Sequence, residues 1–152
     1  MKDKIDDKKI MSWEECRRDF IRHVEIDKER IKSIKKTALK RLEMTKEIEL
    51  NKPISPDNVS FIIEDYYEVI KELLVSYMLK NGMRSKNHQC LISYFYKENP
   101  EYEREAFLIS QMSFFRNRLD YYGEKVPMDF YTYNKDDFDE IIRILLEIIE
   151  KD

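Results

Sequence analysis

The chain has 152 residues, 42% of them hydrophobic and 39% charged, with a formal net charge of -3: the size and mix of one ordinary domain around a single core. The near-balance of charge gives no global attraction to nucleic acid or to an anionic membrane, and no apolar stretch approaches the roughly 18 residues of a membrane span. Two glycines and four prolines leave few places for turns, which excludes a many-stranded sheet and points to a handful of long helices.

Residues 1–9 are nearly all Lys and Asp and are expected to fray. No apolar run follows a positive N-terminal region, so neither a signal peptide nor a membrane anchor is expected, and the expected location is cytoplasmic. Ser12 with Glu15 forms a capping-box signature, and Trp13, Cys16, Phe20 and Val24 follow at helical spacing. This predicts a short amphipathic helix over about 12–24, within an N-terminal extension of residues 1–26. Cys16 and Cys90 match neither a zinc nor a C-x-x-C spacing. They read as reduced thiols of a cytosolic protein, used as small apolar filler. No metal and no cofactor is expected.

Asp27 is placed to cap a helix in which Ile31, Ile34, Ala38, Leu42 and Thr45 keep a three-and-four spacing to about Leu50. Its other face is basic, with Lys28, Arg30, Lys32, Lys35, Lys36, Lys40, Arg41 and Lys46. Such a run is either a solvated face or a phosphate-contacting stripe. Pro53 and Pro56 break the helix. Then Val59, Ile62, Ile63, Tyr66, Val69, Ile70, Leu73, Leu74 and Tyr77 fall on one wide stripe, the central helix of the core over about 57–80, ended by Asn81-Gly82.

A shorter helix is expected within 85–99, carrying Leu91, Ile92, Tyr94 and Phe95. A long one over about 101–122 should bury Leu108, Met112, Phe115, Leu119 and Tyr122. Residues 123–134 read as an aromatic-rich loop, and a last helix from about Lys135 lines up Phe138, Ile141, Ile142, Leu145, Ile148 and Ile149. The sum is an all-α fold. Four long helices form an up-and-down bundle over 27–152, with one short helix and the N-terminal helical extension.

The candidate chemistry lies in Ser113 to Gly123, where Arg116, Asn117, Arg118 and Asp120 sit within about two turns, before Tyr121 and Tyr122. Residues four apart share one side of a helix, so Arg116 falls beside Asp120 and Asn117 beside Tyr121.

From Asp27 to Ile149 this order of features resembles the HEPN domains. The likeness is carried by Tyr66-Tyr67-Glu68-Val69-Ile70-Lys71-Glu72-Leu73-Leu74, by Asn81-Gly82-Met83-Arg84-Ser85-Lys86-Asn87-His88, and above all by Arg116-Asn117-Arg118-Leu119-Asp120-Tyr121-Tyr122-Gly123. The resemblance implies a helical bundle that forms homodimers, with the polar motif of each subunit near the two-fold axis. Many such domains are metal-independent ribonucleases acting as toxins, and a large group is encoded beside a small nucleotidyltransferase that serves as antitoxin. Their motif is Arg, then Asn or another polar residue, then His little more than a turn further on. Here Arg116 and Asn117 match its start, whereas the positions open to the His hold Tyr121, Tyr122 and Gly123. The position of a tyrosine that some members have modified by nucleotide transfer is also Gly123, so that modification is not carried over.

The missing His has a physical cost. Cleavage of RNA without a metal needs a base for the 2'-hydroxyl and an acid for the leaving oxygen, and His suits both near neutral pH. A Tyr hydroxyl, with a pKa of about 10, is a donor but a poor base. The preferred expectation is therefore a homodimeric module, non-catalytic or weakly active, that binds RNA or a nucleotide through Arg116, Asn117, Arg118 and Tyr122. It could instead bind a partner such as a nucleotidyltransferase, in a toxin–antitoxin-like pair. The alternative is an active ribonuclease with Arg116, Asn117, Asp120 and Tyr121 as the catalytic set, in which Asp120, Tyr121 or His88 replaces the His. A third is a structural interaction protein in which Arg116 and Asp120 pair at a dimer interface.

Overall fold

A computed structural model describes residues 10–151; the fraying expected of residues 1–9 lies outside them. In chain order the elements are α1 (Trp13–Asp19), β1 (Arg22–His23), α2 (Lys28–Asn51), α3 (Val59–Lys80), β2 (Met83–Arg84), α4 (His88–Glu98), a 3-10 turn (Pro100–Tyr102), α5 (Glu103–Tyr122) and α6 (Met128–Glu150). The architecture is the expected all-α one, an assembly of helices with one two-stranded antiparallel ribbon. Among the described residues no helix is long and apolar enough to cross a membrane.

α3 is the axis of the molecule because it is apolar on nearly every side. Ile62, Ile63, Tyr66, Tyr67, Val69, Ile70, Leu73 and Leu74 are all buried, and the helix packs against α2, α4, α5 and α6. Each large apolar side chain so buried contributes about 1.5–3 kcal/mol. The exception is one stripe, Phe61, Glu64, Asp65, Glu68 and Glu72, which no other helix covers fully. α2 and α5 flank that stripe, both antiparallel to α3: Arg41 of α2 lies 3.6 Å from Glu72, and Arg116 of α5 lies 3.2 Å from Glu68.

Polar clamps fix the helices in register. The Tyr66 and Tyr131 hydroxyls both donate to the carboxylate of Glu49, at 2.6 and 2.5 Å, tying α2, α3 and α6 together. The Lys80 ammonium donates to the carbonyls of Ile149, at 2.8 Å, and Lys151, placing a cation at the end of α6, where the helix dipole favours one. Gly123, at φ +67°, closes α5 in the left-handed conformation, with its N–H on the Leu119 carbonyl at 3.0 Å.

Four expectations need correction. The last helix begins at Met128, because Phe130, Tyr131 and Asn134 continue the spacing of Phe138 and Ile141 rather than forming a loop. The N-terminal helix stops at Asp19, with its cap bonds made, and the chain then pairs β1 with β2; Val24 N–H donates to the Gly82 carbonyl at 2.9 Å. Tyr122, expected in the core, is 68% exposed beyond the last packed turn of α5. Cys16 and Cys90, expected to be free thiols, form a disulfide across 74 residues, since α1 lies against α4 with Trp13 and Tyr94 ring centroids 5.3 Å apart.

Closing so long a loop removes much unfolded-state entropy. Reduction should therefore lower the unfolding free energy by about 2–4 kcal/mol, measured by denaturant titration with and without reductant. The oxidised protein, unfolded, should show no reactive thiol, and two reactive thiols there would contradict the bridge.

Candidate functional site

Arg116 projects from the second turn from the end of α5 towards the acidic stripe of α3. Its Nη2 donates to Glu68 Oε2 at 3.2 Å, and its Nε lies 3.2 Å from Asp120 Oδ2. The second contact is an ion pair but not an aligned hydrogen bond, since Nε is buried without an accepting partner. Glu68 also pairs with Lys71 at 2.9 Å, and the guanidinium lies 5.8 Å from the centre of the Tyr67 ring. Arg116 and Glu68 are only 25% and 17% exposed, so their attraction is screened far less than that of a surface pair.

The next turn of the same seam brings Glu64 against Asp120. Burial, and then the Asp120 charge with a hydrogen bond to it, push the Glu64 carboxyl above its ordinary value. Beside Glu64, on the side of α3 that faces Arg41 of α2, burial and the charge of Glu68 raise Asp65, while Arg41 opposes the rise. The seam thus alternates acids of α3 with cations of its neighbours, and Glu64, Glu68 and Asp120 around Arg116 and Lys71 leave no positive surplus.

The other members of the motif fall outside this network. Asn117 is exposed. Arg118 turns to the loop that follows, donating to both Glu124 oxygens at 3.0 and 2.5 Å and lying 4.4 Å from the Tyr122 ring centre. Tyr121 is 77% exposed. Arg116 and Asp120 are therefore brought together, while Asn117 and Tyr121 are not brought to them.

His88, left open by sequence reasoning, does come near. It is the first residue of α4, whose Gln89 side chain donates to Ser113 of α5 at 3.0 Å. Burial and the positive charges of Lys71 and Arg116 push its imidazole below the ordinary histidine value, with Glu68 pulling the other way. His23 lies exposed in β1. Sequence reasoning missed Glu64 and Glu68 as members of the site; the signal was present as acids at four-residue spacing on an otherwise apolar helix. Half of the basic stripe of α2 is paired: Lys35 with Glu150, Lys40 with Glu43, Arg41 with Glu72 and Lys46 with Asp139. Among the described residues there is no group of three or more His, Cys, Asp or Glu able to hold a metal ion.

No protein-family model, no curated protein and no solved structure matches this chain.

The folded state holds a proton on Glu64 that the unfolded chain releases more easily. The stabilisation this brings is complete below about pH 4.5, the ordinary value, and is lost as pH rises through the raised folded one. Glu64→Gln, which removes the repulsion from Asp120, should therefore raise the Tm at neutral pH and leave it unchanged in acid. A lower Tm at neutral pH would contradict the like-charge contact.

Proposed function

We propose that the chain is a HEPN-like module that self-associates through the α3–α5 seam and does not cut RNA. The observation that carries this reading is the pairing of a seam of interleaved charges, acids in slight excess, with exposed aromatic side chains at its end. Phe61, Tyr121 and Tyr122 are 59%, 77% and 68% exposed, and the Val126 N–H bond to Ser60 at 2.8 Å holds the chain after α5 against the start of α3. Aromatic residues and arginine are the types enriched in interfaces, and a cluster of exposed rings on a soluble domain commonly marks one. The occupant is a second copy of the chain. A two-fold interface sets a patch against itself, and a patch carrying both signs can set the cations of one copy against the acids of the other.

The same excess of acids argues against RNA or a nucleotide at Arg116. Its guanidinium is committed to Glu68 and Asp120, and a phosphate arriving there would meet three carboxylates. On this reading the motif keeps the arginine of the ribonuclease-type motif as a structural ion pair. The disulfide agrees with an intracellular location chiefly in heat-loving prokaryotes, and the Lys- and Glu-rich composition leans the same way.

A second reading is favoured by one observation, that His88, half-buried at the start of α4, feels the positive charge of Arg116. An imidazole held below its ordinary value is neutral at pH 7 and suited to act as a base, so a weak ribonuclease could use His88 from α4 in place of a motif His.

Sedimentation velocity separates the readings. The protein should run as a dimer, and Tyr121→Glu should run as a folded monomer. A monomeric parent at about 100 µM, a concentration at which even weak dimers form, would overturn the proposal. EDTA-resistant cleavage of RNA, abolished in His88→Ala, would establish the second reading in its place.

A further inference from the structure

Away from the seam, three cations gather at a cavity with no acid paired to them. A cavity of about 290 Å³ lies between the start of α2, the last turns of α3, β2 and the start of α4, and its polar lining is Arg30, Arg84, Ser85, Lys86 and His88. Val75, Met78, Leu79 and Leu91 form its apolar side. Among the described residues no carboxylate lines it. Among the described residues, neither Arg30 nor Arg84 nor Lys86 forms an ion pair, although most other arginines of the molecule do.

The ribbon sharpens the imbalance. Arg22 of β1 stands directly across the ladder from Arg84 of β2. Residues so opposed share one face of a ribbon, and like charges there are destabilising. Two acids lie behind the cluster, Glu25 and Asp27, in a smaller recess with Arg30 and Arg84. The Asp27 carboxylate is spent capping α2, accepting from the Arg30 N–H at 3.1 Å, and neither acid reaches ion-pairing distance of a guanidinium. The carbonyls of Met78 and Leu79, which would add negative potential at the end of α3, are taken by the N–H groups of Asn81 and Gly82 at 3.0 and 2.9 Å. The first turn of α4, an eleven-residue helix, adds its partial positive end at the rim.

We propose that this cavity is a binding site for a small phosphorylated molecule. Arg30, Arg84 and Lys86 hold the phosphate, Ser85 supplies a hydroxyl, and the apolar side receives the group the phosphate is attached to. Guanidinium forks from two different elements match phosphate oxygens better than any single side chain, and the bound anion relieves the Arg22–Arg84 repulsion. The volume is at the small end for ligand cavities, which limits the occupant to something near a diphosphate or a mononucleotide in size. The site does not depend on the α3–α5 seam and stands whether or not the chain dimerises.

The test is titration of the oxidised, full-length protein with inorganic pyrophosphate and with a mononucleotide at constant ionic strength, read by calorimetry. Binding should saturate at one site per chain, weaken at least about tenfold in Arg84→Gln and in Arg30→Gln, and remain in Lys36→Gln, which removes the same charge from α2 outside the cavity. Without ligand, Arg84→Gln should have a higher Tm than the parent, because it removes a like-charge pair; this also shows that a loss of binding is not a loss of fold. Absence of saturable binding by either probe would overturn the proposal, as would equal weakening in Lys36→Gln. A short single-stranded RNA that binds in an Arg84-dependent way, when neither small probe does, would overturn it in favour of a polynucleotide surface.

Discussion

The fold turns on one conflict, which is that the most apolar helix of the chain carries a row of acids. α3 has to lie at the centre to bury Ile62, Ile63, Tyr66, Tyr67, Val69 and Ile70, and in doing so it draws Glu64, Asp65, Glu68 and Glu72 out of bulk water. A carboxylate so placed is costly unless a cation or hydrogen-bond donor answers it. Arg41 from α2 and Arg116 from α5 supply that answer from opposite sides. The pairing sets the register of both flanking helices against α3, and it also determines what the motif of α5 is free to do.

The helices were largely legible because apolar spacing is a local signal, and the four long ones and the short α4 follow from it. The failures came where distant contacts decide. Nothing near Cys16 announces Cys90; the bridge exists because Trp13 packs on Tyr94 and sets α1 against α4. Residues 22–23 carry no strand pattern of their own and become a strand only because the turn at Gly82 offers an edge. The start of α6 is hidden for a different reason, since Phe130, Tyr131 and Tyr133 have low intrinsic helix propensity and the packing of Phe130 and Tyr131 in the core overrides it. At the candidate site, the Arg116–Asp120 contact followed from residues four apart on a helix, but Glu68, which pairs with Arg116, and His88, which feels its charge, stand on other helices.

The N-terminal segment connects two parts of the molecule that local reading leaves unrelated. The disulfide holds α1 on α4, β1 holds the next stretch on β2, and α4 begins with His88, which faces the Arg116 seam on one side and the basic cavity on the other. Arg22 and Arg84 face each other only because this segment is folded back. The cavity takes its cations from α2 and from the chain after α3, and the N-terminal segment adds Arg22 across from Arg84; the seam takes most of its acids from the helix that looked merely hydrophobic.

The central claim is that Arg116 belongs to the carboxylates of α3. A double-mutant cycle of Glu68→Gln and Arg116→Gln, measured by equilibrium denaturation, tests it most directly. The account predicts that each single change is destabilising and that the double variant is little worse than either, with a coupling energy of about 1–3 kcal/mol. Additive effects, with coupling under about 0.5 kcal/mol, would mean that Arg116 is free for another partner and would contradict the account.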